Sequence, residues 1–143
     1  MNLARSGLIF GIVIWAAATA LFVPLGHFVF GPDNRLPAAL TAGLVILATF
    51  AGVNRFATVV LPRGGSVRVE QGAMLGVFAC MPGLVLDGAL YAFNGGRYPG
   101  LDDAASGVMS AGLLLAYAAA LLATLSAART LSQSAGKVTT APL

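Results

Sequence analysis

The segment from Val69 to Phe93 is apolar and long enough to cross a bilayer, and it carries one carboxylate, Asp87. A transmembrane helix needs about 20 apolar residues to cross about 30 Å of hydrocarbon. Three more segments meet this requirement, at residues 8–30, 36–61 and 104–125. The sequence therefore predicts an all-α membrane protein, a four-transmembrane-helix bundle over residues 1–129. The polar, small residues 130–143 predict a disordered cytoplasmic tail.

The composition supports the same class. Hydrophobic residues make up 58% of the 143-residue chain and charged residues only 9%, which is outside the usual range of soluble domains. The single cysteine excludes an internal disulfide and the single histidine excludes a histidine metal cluster, so we expect no metal and no cofactor. The basic residues stand singly beside the spans, which favours the lipid bilayer as partner and not nucleic acid.

The third span has a stripe of small residues that includes the acid. At about 100° per residue, six side chains fall within an arc of about 100°: Gly72, Gly76, Cys80, Gly83, Asp87 and Tyr91. Small residues mark the faces where helices approach closely in a membrane. We therefore expect Asp87 to face protein and not lipid.

The first and fourth spans have packing stripes of their own. Gly11, Trp15, Thr19, Phe22 and Gly26 form the predicted stripe of the first span. Its positive start and alanine-rich run resemble a secretory signal, but hydrophobicity continues to Phe30, which favours an uncleaved span. In the fourth span, the polar stripe consists of Ser106, Ser110, Tyr117 and Thr124.

The basic residues also predict the orientation of the chain, because cytoplasmic flanks carry the excess of Lys and Arg. Arg35 and Arg97 flank the spans on one side. The other side holds Arg5, Arg55, Arg63, Arg68, Arg129 and Lys137. Both termini are therefore expected in the cytoplasm. Arg55 and Glu70 fall at similar depth at the ends of consecutive helices, which predicts a structural ion pair between them.

Asp87 is the strongest candidate for a functional residue. A charged side chain at the centre of a span costs about 2.5–3.5 kcal/mol on insertion scales, so an acid there marks a functional site or an internal pairing. His27 lies near the outer end of the first span, and a His27–Asp87 pair would be sensitive to protons. The candidate intramembrane set is Asp87, His27, Tyr91 and Tyr117. The structural alternative is a buried, protonated Asp87 that is hydrogen-bonded to Tyr117 or Ser110.

Three pieces of the sequence carry a family resemblance. They are Trp15 with Ala18-Thr19 and Gly26-His27, the run Pro82-Gly83-Leu84-Val85-Leu86-Asp87, and Tyr98-Pro99 with Ala116-Tyr117. Together they resemble a family of small four-span bacterial membrane proteins known as a domain of unknown function. The resemblance implies a four-helix fold and a multi-pass location in the bacterial inner membrane, and it implies no activity.

The residues favour two classes of function and disfavour enzymes. Aspartyl hydrolysis uses paired carboxylates, whereas Asp87 is the only acid well inside a span, so we expect no catalytic residues. The first hypothesis is a small proton-linked transporter or sensor built around Asp87, which at this size is expected to act as a homodimer. The alternative is an accessory or structural protein that binds a larger membrane partner through its glycine stripe.

Overall fold

The computed structural model describes residues 2–30, 35–62 and 67–138, without the side chains of residues 27, 35–37 and 135–138. Almost all of the described residues belong to four helices: α1 (Leu3–Phe30), α2 (Arg35–Val60), α3 (Val69–Phe93) and α4 (Asp103–Val138). Each is long and apolar enough to cross a membrane. The predicted all-α fold with four membrane-spanning helices is confirmed.

The four helices form a ring in which α1 packs mainly on α3 and α2 mainly on α4. Because consecutive helices run in opposite directions, these two pairs are parallel. The antiparallel α3–α4 contact joins the pairs, whereas the α1–α2 contact is sparse. Of all helix pairs, α2 and α3 contact each other least, so they lie at opposite corners of the ring. The bundle is therefore two helical hairpins side by side.

Glycines bring α3 close to both of its neighbours. A Cβ added to Gly11 of α1 would overlap the carbonyl oxygen of Ala79 in α3. A Cβ added to Gly72 of α3 would lie 2.7 Å from both the Ala128 Cβ and the Thr124 carbonyl oxygen of α4. Because lipid supplies no hydrophobic force between helices, such close packing is the main source of their association.

The outer surface of the bundle is apolar. Large aliphatic side chains are exposed along every helix, among them Val13, Leu47, Val85 and Leu114. Soluble monomers rarely expose continuous apolar patches of this kind. In a bilayer the same surface meets hydrocarbon chains, and the backbone groups are satisfied within each helix.

The turn between α3 and α4 is tightly organised. Gly95, Gly96 and Gly100 adopt positive φ angles, which glycine does at little steric cost. The carboxylate of Asp102 accepts a hydrogen bond of 2.7 Å from the Ala105 N–H and caps α4. This turn carries the buried Tyr98 ring back to the end of the bundle.

Two predictions of local structure are wrong. The tail predicted to be disordered from residue 130 continues as α4 to Val138. The Thr130 hydroxyl donates to the Ser126 carbonyl and the Ser134 hydroxyl to the Thr130 carbonyl, and Leu131 packs against the adjacent core cluster. These local bonds satisfy polar side chains within a helix. Residues 139–143 lie outside the described part.

The second wrong prediction is the Arg55–Glu70 ion pair. Within the described ranges the only salt bridge joins Arg97 to Asp103, and Arg55 and Glu70 are both exposed. The reason is topological, since α2 and α3 occupy opposite corners of the ring although they are consecutive in sequence. The cytoplasmic position of both termini stays a prediction.

Gly72→Ala is expected to destabilise the bundle by about 1–3 kcal/mol, because the new methyl group overpacks the α3–α4 contact. Gly52→Ala is the matched control, since nothing lies within 4 Å of a Cβ there. It is expected to be neutral or slightly stabilising, by up to about 1 kcal/mol. Denaturant unfolding in detergent micelles measures both. Equal effects of the two substitutions would contradict the packing described.

Candidate functional site

The Asp87 carboxylate lies where three helices meet. The Trp15 indole N–H of α1 donates a hydrogen bond of 2.8 Å to Asp87 Oδ1. The Tyr117 hydroxyl of α4 donates to Asp87 Oδ2. The prediction that Asp87 faces protein is confirmed, and each carboxylate oxygen has one donor.

Gly83 makes the Tyr117 contact possible. It lies one helical turn before Asp87 on the same face of α3. A Cβ at this position would overlap the Tyr117 hydroxyl and would lie 2.9 Å from its Cε1 atom. The Tyr117 ring therefore lies directly on the Gly83 backbone, with its hydroxyl beside the acid. The glycine stripe of α3 thus leaves room for the Tyr117 ring and also lets the helices pack closely.

The Trp15 contact depends on the register of α1 along α3. Gly11 lies against Ala79, and Trp15 follows Gly11 by one turn on the same face of α1. Asp87 is two turns beyond Ala79 on α3. The large indole covers the remaining axial distance and reaches the carboxylate with its only polar atom.

Asp87 borders a cavity of about 110 Å³ in the centre of the bundle. At about 10–15 Å³ for each water, this space holds several waters or one small organic molecule. The walls are mostly apolar and come from all four helices and the α3–α4 turn. Lining residues include Phe10, Trp15, Thr19, Phe22, Val45, Thr49, Val53, Cys80, Gly83, Asp87, Tyr98, Leu113, Ala116 and Tyr117.

Tyr98 lines the cavity from the turn between α3 and α4. Its side chain is buried, and its ring centroid lies 5.6 Å from that of Tyr91. Burial, together with the negative charge of Asp87, raises the pKa of Tyr98 to about 12. Its hydroxyl therefore remains protonated and neutral at physiological pH.

The hydrogen bonds around Asp87 suit both of its protonation states. When Asp87 is ionised, Trp15 and Tyr117 both donate to it. When Asp87 is protonated, its own O–H can donate to the Tyr117 oxygen, while Trp15 still donates to the other carboxyl oxygen. Among the side chains that the structure describes, no basic one lines the cavity, and no three His, Cys, Asp or Glu side chains form a metal site.

The structure brings together some of the predicted residues and separates others. Tyr117 contacts Asp87, but Ser110 does not, since its hydroxyl donates to the Ser106 carbonyl. Tyr91 is partly exposed and has its ring contact with Tyr98, outside the cavity wall. The two tyrosines of the predicted set therefore differ, and only Tyr117 belongs to the site.

The His27 side chain lies outside the described part of the structure, so its pairing with Asp87 stays a prediction. The backbone of His27 is in α1, twelve positions beyond Trp15, which is about 18 Å along a helix. Its neighbour Gly26 packs beside Leu101 of the α3–α4 turn. This register does not favour a direct pair with Asp87.

Sequence reasoning missed Trp15 and Tyr98 as members of the site. Trp15 was predicted to face the bundle, which is confirmed, but its partner depends on the register between α1 and α3. The available signal was Trp15 itself, an apolar side chain with one hydrogen-bond donor on the packing stripe of a span that contains no acid. An indole N–H in hydrocarbon requires an acceptor, and Asp87 is the only acid well inside a span of the described helices.

No family model, curated protein or solved structure matches the chain. The resemblance to the small four-span bacterial family therefore stays a prediction.

A double-mutant cycle tests the Tyr117–Asp87 contact. We expect Tyr117→Phe and Asp87→Asn to be coupled by about 0.5–2 kcal/mol in the free energy of unfolding, as for hydrogen bonds between membrane helices. The cycle Tyr91→Phe with Asp87→Asn is the matched control, because Tyr91 is on the same helix without that bond. Unfolding in micelles measures both cycles. Additive effects for Tyr117 would exclude the contact.

Proposed function

We propose that the protein is a small proton-linked transporter in which Asp87 binds and releases the proton. The observation that carries this proposal is the position of Asp87, the only carboxylate among the described residues that line the central cavity. It is six residues from the end of α3, about 9 Å along the helix. An ionisable group at that depth, beside a cavity, is the usual mark of an ion or substrate pathway.

The surroundings of Asp87 support reversible protonation. The groups bonded to it are the Trp15 indole from α1 and the Tyr117 hydroxyl from α4, and Tyr98 of the turn lines the same cavity. The described lining residues of helix α2 are uncharged. No lysine or arginine among the described lining residues fixes the carboxylate in its charged form. Its protonation therefore depends on solvation and on whatever occupies the cavity.

The location and assembly are part of the same proposal. We place the chain in the bacterial inner membrane, with both termini in the cytoplasm. Four helices enclose little space, which supports a homodimer as the working unit. A single intramembrane acid supports transport and not hydrolysis, since hydrolytic chemistry on aspartates uses a pair.

The accessory-protein alternative loses its main support. It relied on the glycine stripe of α3 as a surface for a larger partner. Gly72 and Gly76 are buried against α4, and Gly83 is covered by the Tyr117 ring. These positions are occupied within the chain and are not free for another protein.

Infrared difference spectroscopy during a pH titration in lipid bilayers tests the proposal. We expect a carboxyl signal of Asp87 that changes reversibly with pH, because a proton-linked transporter has to bind and release its proton at this group. Asp87→Asn is the blank, because it removes this signal and leaves the signals of the other acids in place: Asp33, Glu70, Asp102 and Asp103.

A wild-type spectrum in which no Asp87 signal changes with pH would contradict the proposal. Asp87 would then hold one protonation state and serve as a structural link between α1, α3 and α4. Asp103→Asn serves as a positive control for the method, because this exposed carboxylate pairs with Arg97 outside the cavity.

A further inference from the structure

We infer that the cavity beside Asp87 binds a monovalent organic cation with an apolar body. The inference rests on the proposed function, because it names the substrate class of the proton-binding site. It comes from three features of the cavity wall, as far as its side chains are described: one carboxylate, several aromatic side chains and no basic side chain.

The charge of the cavity points to a cation. Asp87 is the only carboxylate among the described lining residues, and its two hydrogen-bond partners, Trp15 and Tyr117, are neutral. Arg97 pairs with Asp103 in the α3–α4 turn, and Arg55 is exposed. Among the described side chains, an ionised Asp87 therefore has no basic partner. A cationic ligand within about 4–6 Å would supply a counter-charge and favour the ionised form.

The aromatic residues point to an organic cation. Phe10, Trp15 and Phe22 of α1, together with Tyr98 and Tyr117, line the same space. Aromatic faces attract ammonium groups through their quadrupoles, and such walls recognise quaternary ammonium ligands. The remaining wall is mostly aliphatic and suits an apolar body. A small inorganic cation prefers a shell of oxygen ligands, whereas the wall of this cavity is mostly apolar.

The same geometry couples binding of the ligand to release of the proton. The ligand cation and the proton both bind the Asp87 carboxylate, so they compete for it. When the cation binds protonated protein, the Asp87 O–H bond breaks and the proton goes to water, while the cation takes its place beside the carboxylate. The net charge of the site is unchanged by this exchange.

The emission of Trp15 reports occupancy directly, because it is the only tryptophan of the chain and contacts Asp87. We would titrate the full-length protein in lipid nanodiscs with benzyltrimethylammonium, using its uncharged isostere neopentylbenzene as matched control. We expect a saturable change in Trp15 emission with the cation. Its affinity should exceed that of neopentylbenzene by about tenfold or more at pH 8 and should weaken by about tenfold per pH unit once Asp87 becomes protonated.

Asp87→Asn should remove the preference for the charged probe, whereas Tyr91→Phe should preserve it. Equal affinity for both probes in the wild-type protein would overturn the inference, and this comparison does not depend on any variant folding. If Asp87 titrates in the infrared experiment but the cation shows no preference, the substrate class is wrong and the proton-linked function stands. If the cation binds without pH dependence and Asp87 does not titrate, the binding site stands and the proposed function fails.

Discussion

A carboxylate placed among membrane helices must find hydrogen-bond donors inside the protein, because hydrocarbon offers none. In this chain the donors come from two different helices, Trp15 on α1 and Tyr117 on α4. Each contributes an aromatic ring whose body suits an apolar environment and whose single polar group reaches Asp87. The polar contact therefore ties three of the four helices together at one depth, and the cavity lies beside this junction.

This junction depends on the absence of a single methyl group at two glycine positions. Gly83 leaves room for the Tyr117 ring, and Gly11 lets α1 approach α3 closely enough for the Trp15 indole to reach the acid. A methyl group at either position would displace a donor from the carboxylate. On α3, Gly83 and Asp87 share one face, and both contact Tyr117. The stripe of α3 is thus an internal surface of the bundle, and its Gly83 and Asp87 line the candidate site.

The sequence predicted the parts of the structure that depend on local periodicity. The four spans follow from apolar length, and the buried face of α3 follows from the spacing of Gly72, Gly76 and Gly83. The parts that failed depend on arrangements between helices. The Arg55–Glu70 pair assumed that consecutive helices are neighbours, whereas α2 and α3 lie at opposite corners. The end of α4 depends on packing of Leu131, which composition does not reveal.

The residues of the candidate site could be predicted from the sequence only in part. Asp87 and Tyr117 were identified from the sequence, since an intramembrane acid and a polar stripe are visible in one dimension. The partnership with Trp15 was not, because it requires the axial register of two helices whose bonded residues are 72 positions apart in sequence. Hydropathy predicts the axial position of each membrane-spanning helix only to within a turn or more. A hydrogen bond requires the register to within about an ångström.

The bond between the Trp15 indole N–H and the Asp87 carboxylate joins α1 to α3 at the candidate site. It can be tested by a ¹H–¹⁵N correlation spectrum of the protein in nanodiscs with ¹⁵N-labelled tryptophan, since the single indole gives one side-chain resonance. We expect this resonance to shift in Asp87→Asn and to remain in place in Tyr91→Phe. An indole resonance that is identical in the wild-type protein and in Asp87→Asn would exclude the bond.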